Sequence, residues 1–172
     1  MVKLAITDAC IFIDLCELQL VSQFFQLDLD IHTSVDVFHE LYPSQQELLM
    51  AFYSFGKLTL HSLTADDRMA IFNGGYPRSL SDNDKTVLHL AVKIGAMVLS
   101  SDRVVRHIAK KKAIAYHGML WIFDQLLEAG LLDCQEASDK LQQLITTNFI
   151  YQNNAELVSE MNSRLKKWAK HL

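Results

Sequence analysis

The chain is poor in the features that mark several protein classes, and each shortage narrows what it can be. Its 172 residues include three cysteines, Cys10, Cys16 and Cys134. The number is odd and no C-x-x-C pair occurs, so neither a disulfide framework nor a zinc site is expected, and the thiols are read as reduced. No uninterrupted run of about 18 apolar residues occurs, and no charged region leads into a hydrophobic segment at the N-terminus. A soluble, cytoplasmic protein with no membrane association is therefore expected. Linkers, repeats and low-complexity tracts are also missing, and the two prolines, Pro43 and Pro77, read as loop residues. Positive charge is not in excess. The formal net charge of -4 argues against indiscriminate coating of nucleic acid, which rests on many Lys and Arg contacts to phosphates. His39, His61, His89, His107 and His117 show no H-E-x-x-H or comparable spacing, so a histidine metal site or general base is not indicated.

What is present is apolar residue in quantity, half of the chain, enough for one well-buried core but short for two. Short apolar runs at Val2 to Thr7, Leu58 to Leu60, Ala96 to Leu99 and Ile114 to Tyr116 read as strands. Between them lie segments of helical spacing. Cys10 to Leu20 has the density of a buried helix, and Val87, Leu88, Ala91 and Val92 form a stripe suited to packing on a sheet, ended by Gly95. The alternation predicts an α/β fold with a mainly parallel sheet and crossover helices, in which ligands collect beyond the carboxyl ends of the strands. After Gly118 the pattern is helical only: Met119 to Ala129, Ser138 to about Asn148, and Ala155 to His171.

Strand ends are therefore where chemistry is expected. Asp8 stands at the end of the first strand, and Asp102 stands in the same relation to the strand beginning at Ala96. A single Asp before a helix ordinarily caps it, but two acids at equivalent strand ends can converge. Glu40 lies in the apolar segment Val35, Val37, Phe38, Leu41, where an acid must face solvent, find a cation or bind a metal. Asp82 and Asp84 open the helix that carries the Val87 stripe, and Ser81 with Asp84 also has the spacing of a capping box. Two local clusters of positive charge accompany these acids: Arg103, Arg106, Lys110, Lys111 and Lys112, then Arg164, Lys166, Lys167 and Lys170. Either can be a solvated helix face or a surface for phosphates.

Thr7-Asp8-Ala9-Cys10-Ile11-Phe12-Ile13, then Val37-Phe38-His39-Glu40, then Leu80-Ser81-Asp82-Asn83-Asp84 with Leu88-His89-Leu90-Ala91, then Leu99-Ser100-Ser101-Asp102 together resemble the PIN domain. Arg106, Ala109 and the run His117-Gly118-Met119-Leu120-Trp121-Ile122 bring the chain nearest to the toxin-type ribonucleases of bacterial and archaeal toxin–antitoxin pairs. The resemblance runs from about Val2 to Gly130. It implies a three-layer α/β/α sandwich over residues 1–130, with residues 131–172 as a C-terminal helical extension packed on the same domain. It also implies a metal-dependent endoribonuclease, with Asp8, Glu40, Asp84 and Asp102 as catalytic residues and ligands of Mg²⁺ or Mn²⁺, and Asp82 in reserve for the third.

By the same resemblance the partners would be RNA, a small antitoxin protein and a second copy of the chain. Ser100 and Arg106 are candidates for contact with substrate. Three positions depart from the common pattern: Cys10 stands where Asn or Ser is frequent, Ser100 where Thr is frequent, and Asn83-Asp84 where the subgroup often has Gly-Glu. These departures favour, as the alternative, a catalytically weak or inactive PIN-fold binding module. A phosphatase or phosphoacceptor would also place Asp at a strand end, but the former usually has a second Asp where Cys10 stands.

Overall fold

The apolar runs become the centre of a sheet, and the segments of helical spacing cover it. The computed structural model describes residues 2–171. In chain order the elements are β1 (Lys3–Thr7), α1 (Ala9–Glu17), α2 (Val21–Phe24), β2 (Leu29–Ser34), α3 (Val35–Glu40), α4 (Pro43–Ser54), β3 (Leu58–His61), α5 (Ala65–Asn73), α6 (Asp82–Ile94), β4 (Met97–Leu99), α7 (Arg103–Lys111), β5 (Tyr116–His117), α8 (Met119–Glu128), α9 (Cys134–Thr147), α10 (Phe149–Gln152) and α11 (Ala155–Trp168), with a final 3₁₀ turn at Ala169–His171. Every strand pairing is parallel, in the order β3-β2-β1-β4-β5.

Burial on both faces explains why β1 and β4 read as continuous apolar runs rather than alternating ones. Ala5, Ile6, Val98 and Leu99 have no exposed surface. On one side α1 packs against α2 and α4, and α2 reaches α8; on the other, α6 rests on β1, β2 and β4 with α5 and α7 beside it. The result is an α/β/α sandwich. The helices after α8 join the same core, to which Leu141, Leu144, Tyr151, Met161 and Trp168 contribute buried side chains. No described helix is long and apolar enough to cross a membrane.

Several local details differ from the sequence expectation, each for a physical reason. The first helix stops at Glu17 rather than Leu20, because Gln19 takes a left-handed φ of 56° before the short α2 begins. Strand β2, Leu-Asp-Ile-His-Thr-Ser, was not anticipated: its polar residues break the apolar density, and tertiary hydrogen bonds take their place. Thr33 Oγ1 donates to the Thr7 carbonyl at 2.7 Å, and Ser34 Oγ lies 2.7 Å from Thr86 Oγ1. Strand β5 falls two residues later than expected, after Ala113 turns the chain at φ 55°. Pro43, expected in a loop, opens α4, where a missing N–H leaves no helical bond unmade. The third last helix begins at Cys134 instead of Ser138, started by a capping box between Asp133 and Glu136.

Gly95 ends α6 as expected, with φ 67° and its N–H bonded to the Ala91 carbonyl. A Cβ there would meet nothing within 4 Å, so a side chain costs backbone strain alone. Gly95→Ala is expected to lower unfolding stability by about 1 kcal/mol, measured by urea titration; an unchanged midpoint would show that the left-handed turn is not required.

Candidate active site

The connections from β1 run towards β2, while those from β4 run towards β5, so a crevice opens where the chain direction reverses, between the ends of β1 and β4. Asp8 and Asp102 stand at this point. The Asp8 N–H donates to the Leu99 carbonyl at 3.1 Å, fastening the end of one strand to the other. Both acids also cap the helices that follow. Asp8 Oδ1 accepts from the Ile11 N–H at 3.1 Å, and Asp102 Oδ1 accepts from the Val104 and Val105 N–H groups at 2.7 and 2.9 Å. Capping and a place in the crevice thus coexist at each acid.

Asp84 lies in the first turn of α6, where that helix crosses above β1, β2 and β4. Ser81 Oγ accepts from the Asp84 N–H at 3.0 Å and donates to its Oδ2 at 2.6 Å. Glu40, the last residue of α3, is exposed and accepts a hydrogen bond from Asn83 Nδ2 at 2.9 Å. Asp82, the reserve for Asp84, turns outward: its side chain is 96% exposed and pairs with Lys85 at 2.7 Å, which holds its carboxyl below the usual range. The structure therefore brings Asp8, Asp84, Asp102 and Glu40 to one end of the sheet and leaves Asp82 outside.

The electrostatics of this group are those of acids facing acids. Burial pushes the Asp8 carboxyl up to about 7, opposed by donors from Cys10, Ser100 and the Ile11 N–H, with repulsion from Asp84 added. Asp84 is also raised, first by burial and then by Asp102 and Glu40. Asp8 is 2% exposed, and no Lys or Arg pairs with any of these four acids among the described residues.

Cys10, the departure beside Asp8, supplies a hydrogen bond rather than a ligand. Its Sγ donates to Asp8 Oδ1 at 2.9 Å and accepts from the Ser101 N–H at 3.3 Å, while burial pushes its thiol well up. Ser100 is fully buried; its Oγ accepts from the Asp102 N–H at 3.0 Å, so one hydroxyl braces both strand-end acids. Arg106, one turn along α7, stacks over the Tyr116 ring at 5.4 Å.

The donor set is all oxygen, which suits a hard cation. Among the described residues no three His, Cys, Asp or Glu side chains are close enough to hold a metal by themselves. That excludes a preformed tetrahedral zinc cage. An ion of the Mg²⁺ type keeps several waters and takes only one or two carboxylates, so it does not need such a group.

A family model described as a PIN domain matches residues 4–167. The chain belongs to the PIN-domain family. Proteins of this family are generally nucleases that use divalent metal ions. The match extends past Gly130, through α9 and α10 and nearly to the end of α11, beyond the stretch that carries the sequence resemblance. No curated protein matches the chain.

Within this PIN domain the late helices reach the crevice through residues that the sequence reading passed over. Asp14, 2% exposed on α1, accepts from Asn148 Nδ2 at 2.9 Å and from the Tyr151 hydroxyl at 3.2 Å. The same hydroxyl lies 2.8 Å from Ser101 Oγ, and the Ser101 N–H holds Cys10, which holds Asp8. A chain of hydrogen bonds thus leads from α10 to the first acid. One signal for it was available: Asp14 is an acid inside the apolar run of α1, the same anomaly that singled out Glu40.

Burial raises the Asp14 carboxyl to about 6, against the donors Asn148 and Tyr151. Below the ordinary carboxylate range of about 4, folded and unfolded chains both hold this proton. As pH rises, the unfolded chain releases it first, so stability falls until about pH 6; Asp8 acts with the same sign up to about 7. Asp14→Asn is expected to flatten the pH dependence of urea unfolding between pH 4 and 6, by on the order of 2–3 kcal/mol across the window. An unaltered slope would remove Asp14 as its source.

Proposed function

We propose that the chain is a Mg²⁺- or Mn²⁺-dependent endoribonuclease in which an ion that keeps several waters takes one or two carboxylate ligands from among Asp8, Asp84, Asp102 and Glu40. The observation that carries this reading is the gathering of four carboxylates from separate segments, without a counter-cation, at the reversal point of a parallel sheet. When bound, the ion supplies Lewis acidity towards an attacking water and towards the charge that develops on the phosphodiester. The chain's own part is positioning. Cys10, Ser100 and the Ile11 N–H fix the Asp8 carboxylate, and the N–H groups of α7 fix that of Asp102. Arg106, which pairs with no carboxylate among the described residues, is free to bond non-bridging phosphate oxygens.

A second reading, a PIN-fold binding module of low activity, is favoured by one observation: Asp84 Oδ2 and Glu40 Oε2 already carry hydrogen bonds from Ser81 and Asn83. An ion that takes either of those two oxygens competes with the bond already there.

Cleavage of RNA with Mn²⁺ or with chelator separates the two readings. Wild type is expected to cleave only with metal, and Asp8→Asn to lose at least about a hundredfold in rate, corresponding to several kcal/mol of lost charge stabilisation. Saturating Mn²⁺ should raise the melting temperature of wild type but not of Asp8→Asn. A wild-type protein that neither cleaves nor gains stability with metal would refute the nuclease. Asp84→Asn should impair both responses, while Asp82→Asn leaves them intact; the reverse result would exchange the roles of these two acids.

A further inference from the structure

Beside Asp102 a groove of about 1790 Å³ opens between α7, the segment around Tyr76 and the helices α10 and α11. Its first wall is cationic. Arg103, Arg106 and Lys110 recur at helical spacing on α7, followed by Lys111 and Lys112, and all five line the groove. None of the five is in an ion pair among the described residues, whereas Arg68, Lys85, Lys93 and Arg164 each have a carboxylate partner. Three carboxylates share the lining: Asp102 of the acid cluster, Glu156, and Glu160, which is itself paired with Arg164 at 3.3 Å. Positive charge therefore prevails along a path that begins at the proposed cleavage site.

The opposite wall is apolar at α10. Phe149 lines the groove with 74% of its surface exposed, and Ile150 beside it is 46% exposed. The next residue, Tyr151, is 1% exposed. Asn148, just before them, bonds Asp14 through its amide nitrogen and caps the Ile150 N–H through its oxygen. An apolar ring is thus held out into a cationic groove by neighbours anchored in the core on both sides, rather than left on a loose end.

We propose that Phe149 is a platform on which an unpaired base of the RNA substrate stacks, beside a track along which the α7 cations hold the phosphates. The assignment rests on the ribonuclease reading for its substrate class and adds the contact residues. Cations alone would serve a duplex as well. An exposed flat ring distinguishes the two, because a base must be unstacked to lie against it, and base–aromatic stacking is tolerant of sequence.

The test is fluorescence anisotropy with a short labelled RNA free of self-complementarity, and with a duplex of equal length, on the full chain in chelator so that nothing is cut. Wild type is expected to bind the single strand more tightly than the duplex. Phe149→Ala should weaken single-strand binding about tenfold, the scale of one lost stacking contact, and leave duplex binding unaltered. Phe149→Trp should restore it. Lys110→Glu combined with Lys111→Glu should weaken both ligands and reduce the salt dependence, while Lys166→Glu with Lys167→Glu, on the tail beyond the lining, should do neither. Unaltered single-strand affinity in Phe149→Ala, or a preference for duplex, overturns the track. Phe149-dependent binding by a wild-type protein that never cleaves with Mn²⁺ upholds the track and refutes the nuclease. Cleavage with Mn²⁺ and no role for Phe149 does the opposite.

Discussion

A carboxylate buried without a cation is the constraint on which the rest of this structure depends. Asp8 sits at the end of the central strand, with its backbone bonded to β4 and its side chain bonded to Cys10 and the start of α1. Removing that group from water is unfavourable unless its charge is compensated, yet the neighbouring ionisable groups are acids. Hydrogen-bond donors soften the penalty and do not cancel it. The fold tolerates the remainder because β1 is covered on both faces, and a sheet and helices packed this closely leave the carboxylate no alternative position. Stability given up at one point and held by the surrounding core is the arrangement expected of a site built to receive something positive.

The supporting groups share a simple economy. Asp8 and Asp102 cap helices, so their orientation is set by backbone N–H groups that are fixed once the helix forms, whereas Asp84 shares the capping Ser81 and Glu40 is held by Asn83. Ser100 serves two acids with one hydroxyl, and Cys10 passes a hydrogen bond from Ser101 onward to Asp8. Thiol chemistry plays no part in this arrangement: the Cys10 sulfur stays protonated and acts as donor and acceptor between neighbours.

The elements legible in the sequence were those whose stability is local or purely apolar. The β1 run, the Val87 stripe, the Gly95 stop and the strand-end positions of Asp8 and Asp102 all follow from spacing and burial. Strand β2 was not legible because its polar residues acquire partners only in the assembled sheet, from Thr7 and Thr86. The choice of Asp84 over Asp82 came from the family resemblance and not from a local rule; both fit a first helical turn, and the rotation of α6 against the sheet turns one inward and the other to Lys85. Asp14 had a visible signal, an acid within an apolar helix, but its partners Asn148 and Tyr151 lie far along the chain and no local rule joins them.

That separation bears on how the molecule comes into being. The hydroxyl of Tyr151 meets Asp14 across 137 positions of sequence and Ser101 across 50, so the brace behind the first acid closes a very long loop. Closing a loop of that length carries an entropy cost that contacts within a helix or between neighbouring residues do not. During synthesis all four crevice acids leave the ribosome before the residue that steadies them. The brace behind the first acid can therefore close only once α10 has been made.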